Sequence, residues 1–104
     1  MAQFDVYRNA GPLAALYPLQ VDVQTDLLAG LESRMVIPLA RSQLQAHRTM
    51  RYLQPEVVIA AETYVLMTPE LAARDRRDLT DRVGSIAHCR SDIITALDML
   101  FTGA

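Results

Sequence analysis

His88, Cys89 and Asp92 are the closest approach in this 104-residue chain to a nucleophile with its base. Neighbours on a helix project about 100° apart, so His88 is badly placed to activate the Cys89 thiol. His88 and Asp92, four apart, can meet, and the plain interpretation is a helix-surface hydrogen bond beside a partly packed thiol. His47 has no cysteine or carboxylate at ligand spacing, and the four glycines lie too far apart to cradle a phosphate. Arg74, Arg76 and Arg77 could meet phosphate, but Asp75 and Asp78 interleave with them, which describes a solvated charge run. No catalytic residue, metal site or cofactor is expected.

The totals agree with a protein that works by its surface. A chain of this length suits a single domain over 1–104, with enough material for a core and something to gain from a partner subunit. The 51% hydrophobic content is that of a globular protein, without an apolar run long enough to cross a membrane. Met1–Val6 lacks the basic and apolar regions of a signal peptide, and the one cysteine suits a reducing compartment, so a cytoplasmic protein is expected. Twelve acidic against ten basic residues give a net charge of −2, which argues against direct nucleic-acid binding.

The elements that must position any site read as strands first and a helix last. Phe4 and Val6 alternate with Asp5 and Tyr7 as a half-buried strand, ended by the turn formers Asn9-Ala10-Gly11-Pro12. Tyr17, Leu19, Val21 and Val23 share one face of a second strand, antiparallel to the first. Leu27 and Leu28 sit in a loop, where most leucines pack back into the core and the rest mark a partner surface. Met35-Val36-Ile37-Pro38-Leu39 has strand composition, and Pro38 predicts an edge or a bulge. Residues 41–54 fit neither period and predict irregular structure or short strands. Val57–Ala60 and Thr63–Met67, apolar on both faces, predict central strands of a hairpin turning near Ala61-Glu62. Thr68-Pro69 predicts an N-cap and a brief helical turn, and 74–78 a solvated link. From Thr80 to Ala104, Val83, Ile86, Ile93, Ile94, Leu97, Leu100 and Phe101 recur at helical steps; Thr80 is the expected N-cap and Gly103 the left-handed stop. This pattern predicts an α+β domain whose helix covers one face or end of a curled or closed sheet.

Val21-Asp22-Val23-Gln24-Thr25-Asp26 and Met35-Val36-Ile37-Pro38-Leu39-Ala40 resemble two specific motifs of the CcdB family of toxins from toxin–antitoxin modules. Leu27-Leu28, Met67-Thr68, His88 with Asp92-Ile93, and the ending Leu100-Phe101-Thr102-Gly103-Ala104 follow in the family's order, so the resemblance runs nearly end to end. It implies a homodimer of mainly-β, SH3-like barrel subunits with an antiparallel main sheet, a small side sheet drawn from 41–54 and a long C-terminal helix. It also implies a gyrase poison, in which the dimer enters the cavity of the gyrase A subunit and traps the enzyme on cleaved DNA, and a disordered antitoxin tail that wraps the toxin to neutralise it.

Carried over position by position, the gyrase-binding set is Leu27, Leu28, Asp98, Phe101, Thr102, Gly103 and Ala104, and the antitoxin-binding set is Arg8, Asn9, Leu13 and Leu16. Typical members end in Phe-Trp-Gly-Ile and carry asparagine where this chain has Asp98. Thr102 in place of tryptophan removes an aromatic anchor for gyrase arginines, a loss of about 1–2 kcal/mol per copy. Ala104 in place of isoleucine removes apolar contact at the same spot. The loop Arg8–Leu16 is longer and more apolar than the family's basic loop, so its antitoxin is expected to rely more on apolar contacts. Three functions fit: a gyrase poison in weakened or altered form, a toxin-fold binding protein that no longer acts on gyrase, and, on the His88–Asp92 neighbourhood alone, an enzyme using Cys89.

Overall fold

The computed structural model describes residues 1–42 and 50–103. Within them seven strands form one antiparallel sheet: β1 (Asp5–Arg8), β2 (Leu19–Asp22), β3 (Ser33–Arg41), β4 (Glu56–Ile59), β5 (Glu62–Leu66), β6 (Ala72–Asp75) and β7 (Arg82–Ser85). The order is β4-β5-β3-β2-β1-β7, with β6 as an extra strand on β3, and the helix α1 (Arg90–Thr102) follows. The sheet curls into a half-barrel, giving the expected mainly-β α+β fold.

β3 is the spine. It pairs with β2 along one side from Val36 to Leu39, and on the other with β6 at Ser33–Val36 and then β5 at Leu39–Arg41. Pro38 therefore lies in the most heavily paired strand and not at an edge. In an antiparallel ladder a residue's N–H and C=O point to the same side. The Pro38 carbonyl accepts from the Met67 N–H at 2.9 Å, so its missing donor faces the seam where β6 gives way to β5. The proline is tolerated because that stretch of β3 has no strand opposite to receive an N–H.

The two faces differ. Val6, Val21, Ile37 and Leu39 project into the main core with Phe4, Leu66, Ile86 and, from α1, Ile93 and Ala96. The opposite face was expected to meet solvent, yet Asp5, Tyr7, Gln20 and Asp22 are buried too. β6 extends the sheet and the 3-10 turn Arg76–Asp78 after it brings Leu79 onto Tyr7 and Val36. The charge run at 74–78, expected as a solvated link, is therefore the end of a strand and a turn. A strand edge on β3 offers backbone hydrogen bonds that side-chain charge cannot veto.

Two further expectations change. β4 is an edge strand with Val58 exposed, and its hairpin turns through Ala60 and Ala61 at φ 52° and 65°, the left-handed pair of a two-residue turn. Thr68-Pro69 does start a 3-10 turn, but Thr68 is its first residue and not its cap. Residues 50–54 close in a turn on the Met50 carbonyl, while 43–49, including His47 and half of the expected side-sheet segment, lie outside the described residues.

The C-terminal quarter divides. Val83 and Ile86 fit the helical step, but Gly84 lies between them and the free edge of β1 is at hand, so 82–85 becomes β7. A 3-10 turn over Ala87–Cys89 then leads into α1, and Thr80 caps nothing. The other end is as expected: Gly103 is left-handed at φ 74°, and its N–H bonds the Met99 carbonyl at 3.1 Å.

Candidate functional site

Leu27 and Leu28 do not return to the core. They stand on a 3-10 turn, Asp26–Leu28, that buries none of its residues, and Leu27 is 92% exposed. The Thr25 hydroxyl oxygen accepts from the Leu27 N–H at 3.4 Å, and the Gln3 N–H donates to Asp26 Oδ1 at 2.8 Å, pinning the turn to the N-terminus. Leu31, whose N–H reaches the Leu28 carbonyl, is a third exposed leucine on the same loop. Its spacing of three from Leu28 is the signal that would have placed it with the pair.

Beneath the turn lies an ion pair cut off from water. Arg34 Nε donates to Asp22 Oδ2 at 2.8 Å, and the two side chains are 1% and 0% exposed. Burial pushes the Asp22 carboxyl above its ordinary range, against the pull of its hydrogen bonds from Arg34 and the Gln24 N–H. The pair is thus costly to desolvate and serves to fix geometry more than to add net stability.

At the other end of the candidate set, Phe101 is 69% exposed on the last turn of α1, with Asp98, Thr102 and Gly103 exposed beside it. Thr102 folds back, its hydroxyl donating to the Asp98 carbonyl at 2.8 Å. Ala104 lies outside the described residues. The leucine turn is tied to Gln3, and the first residue of α1, Arg90, sets its guanidinium 5.9 Å from the centroid of the Phe4 ring. The tip of α1 lies about 20 Å along the helix from Arg90, the length of thirteen residues.

The candidates at the N-terminal loop are of two kinds. Leu13 and Leu16 are exposed and share one turn, the Leu16 N–H bonding the Leu13 carbonyl. Arg8 pairs with Asp81 at 3.2 Å, and Asn9 uses both ends of its amide inside the loop, donating to the Tyr17 carbonyl and accepting from the Gly11 N–H, each at 2.9 Å. Asn9 shapes the loop, whereas the leucines face outward. Between this loop and residues Arg74 to Thr80 runs a groove of about 530 Å³ lined by Gln20, Arg74, Arg77 and Asp78, a feature the sequence did not suggest because its walls are distant in the chain.

Arg77 on that wall grips Asp75 through two parallel contacts, Nε donating to Oδ1 and Nη2 to Oδ2, and its hydrogen bonds hold the Asp75 carboxyl at about 2. A depressed carboxyl contributes stability above its unfolded value and loses it as the pH falls through the folded one. Carbon-detected NMR should show the Asp75 carboxyl titrating near 2 and returning towards 3.8 in Arg77→Gln.

The enzyme reading fares worst. His88 belongs to the 3-10 turn before α1 and not to the helix, which removes the expected four-residue register with Asp92. Burial, with Asp92 nearby, pushes the Cys89 thiol up, away from the thiolate that nucleophilic chemistry needs. Among the described residues no helix is long and apolar enough to cross a membrane. Residues 3–103 match the family model described as CcdB protein. Since that match covers nearly the whole chain, the chain belongs to the CcdB family.

Proposed function

We propose that the protein is the toxin of a toxin–antitoxin module, binding the gyrase A subunit and trapping the gyrase–DNA cleavage complex. The observation that carries this is the exposure of Leu27, Leu28 and Phe101, three large apolar side chains held outside the core at positions that the resemblance assigns to gyrase contact. Such a surface inhibits by shape and apolar contact, with no bond made or broken by the toxin itself. A homodimer presents it twice. The antitoxin tail binds across the Leu13–Leu16 loop and the groove beside it, and the module works in the cytoplasm. DNA is reached through gyrase, since a chain of net charge −2 has no strong hold on phosphates.

A second function, a member of this fold that no longer acts on gyrase, is favoured by Thr102, which turns onto its own helix where relatives project an indole. Purified protein, gyrase and supercoiled DNA separate the two by the yield of linear product. Native protein should give linear DNA, and Thr102→Trp should lower the concentration required by about five- to thirtyfold, the worth of one restored cation–π contact, and further if both copies of a dimer regain it. Linear DNA from neither form would reject gyrase as the target, and linear DNA from the tryptophan form alone would support the second function.

A further inference from the structure

An isolated three-residue 3-10 turn with no buried residue cannot hold its own shape, because so short a segment gains too few hydrogen bonds for the dihedrals it fixes. Something else must hold Leu27 and Leu28 in place. Four hydrogen-bonding tethers reach the turn or its flanks: the Thr25 hydroxyl, the Gln3 N–H on Asp26, Arg76 Nη1 on the Ala29 carbonyl at 3.3 Å, and Gln24; the Arg34 guanidinium adds only a long ion pair, 3.9 Å from the exposed Asp26 carboxylate. The first three are exposed, where water competes for each group.

Gln24 is different. It is buried, and its polar groups are engaged on both sides of the turn. Its Nε2 donates to the Leu28 carbonyl at 3.2 Å, and its Oε1 accepts from the Met35 N–H at 3.1 Å. Its own N–H donates to Asp22 Oδ1 at 3.0 Å, and its carbonyl lies 3.5 Å from Arg34 Nη2. The side-chain amide thus bridges the leucine turn to β3, and its backbone rests on the buried Asp22–Arg34 pair. We infer that Gln24 is a positioning residue: it fixes the Leu28 carbonyl, and with it the direction of Leu27 and Leu28, so that the apolar contact is set before a partner arrives. A turn ordered in advance spares the complex the cost of ordering it on binding. This rests on the proposed function for its partner, and on the geometry alone for its effect on the turn.

Gln24→Met keeps the length of the side chain and removes both amide hydrogen bonds. Calorimetric titration of a gyrase A-subunit fragment with the full chain should show binding weakened about fivefold, the worth of one net hydrogen bond. In a Leu27→Ala/Leu28→Ala background the same substitution should cause no further weakening, since it acts through those two side chains. Equal weakening in both backgrounds, or none in either, would overturn the inference. Backbone relaxation by NMR reads the turn directly: order parameters for Leu27 to Leu31 should fall in Gln24→Met while those of β2 and β3 hold. Should that variant fail to fold, Gln24→Glu retains the acceptor for Met35 and loses the donor to Leu28. Native protein that does not bind the fragment sinks gyrase as the target; the order parameters then decide the positioning role, which unchanged values would reject.

Discussion

Arg34→Met should lower the unfolding free energy by about 3–5 kcal/mol, the largest loss expected from any single polar substitution in this chain. The guanidinium is one partner of a pair sealed beneath the sheet's second face, and its removal leaves the Asp22 carboxylate buried without a counter-ion. For a chain of this size the melting temperature should fall by roughly 4–8 °C for each kcal/mol. Asp22→Leu combined with Arg34→Met removes both charges and should be more stable than Arg34→Met, because no unpaired ion remains. Urea unfolding of the three proteins checks this. A single-variant loss under about 1 kcal/mol would show that water reaches the pair. The double variant also removes the carboxylate that holds the Gln24 N–H, so it should fold while presenting a looser leucine turn.

The second large effect is on trapping and not on folding. Leu27→Asp and Phe101→Ala each alter a side chain that buries little in the free subunit, so stability should change by no more than about 0.5 kcal/mol. At an interface the same groups become buried anchors, whose loss costs about 2 kcal/mol or more, some thirtyfold in affinity. The protein concentration giving half-maximal linear DNA should rise at least that far, and further if a dimer presents each side chain twice. Tyr52→Ala is the control: Tyr52 is 66% exposed, comparable to Phe101, but lies outside the proposed surface and should leave trapping unchanged. Equal losses in all three variants would point to a general effect of surface apolarity.

The sequence was most legible where one period had no competitor. β1, β2 and the left-handed stop at Gly103 follow from alternation and from the one residue type that suits that backbone. Legibility failed where a strand's reason to exist lies elsewhere in the chain. β6 reads as charge because what makes it a strand is the open edge of β3 some forty residues earlier, and β7 reads as helix because the step of three from Val83 to Ile86 is helical, while what makes 82–85 a strand is the edge of β1 far off in the chain. Pro38 misled for the same reason: its tolerance depends on the seam between β5 and β6, which no local pattern contains. For the candidate site, the exposed residues came from resemblance, whereas Gln24, Arg34 and Asp22, which hold the turn, are polar residues that composition alone assigns to the surface.

The pairing of β1 with β7 also sets a schedule for synthesis. Val6 lies opposite Gly84, and the core against Phe4 is completed by Ile86, Ile93 and Ala96. A nascent chain therefore carries its first strand with one edge unpaired through most of translation, and the sheet and its core close only after the segment from Arg82 to Ala96 has been made. Contacts of such long sequence separation are slow to form and leave strand edges open to other chains in the meantime. For the toxin proposed above, the order of synthesis thus sets how long an unfinished form persists before the tip of α1 can be displayed.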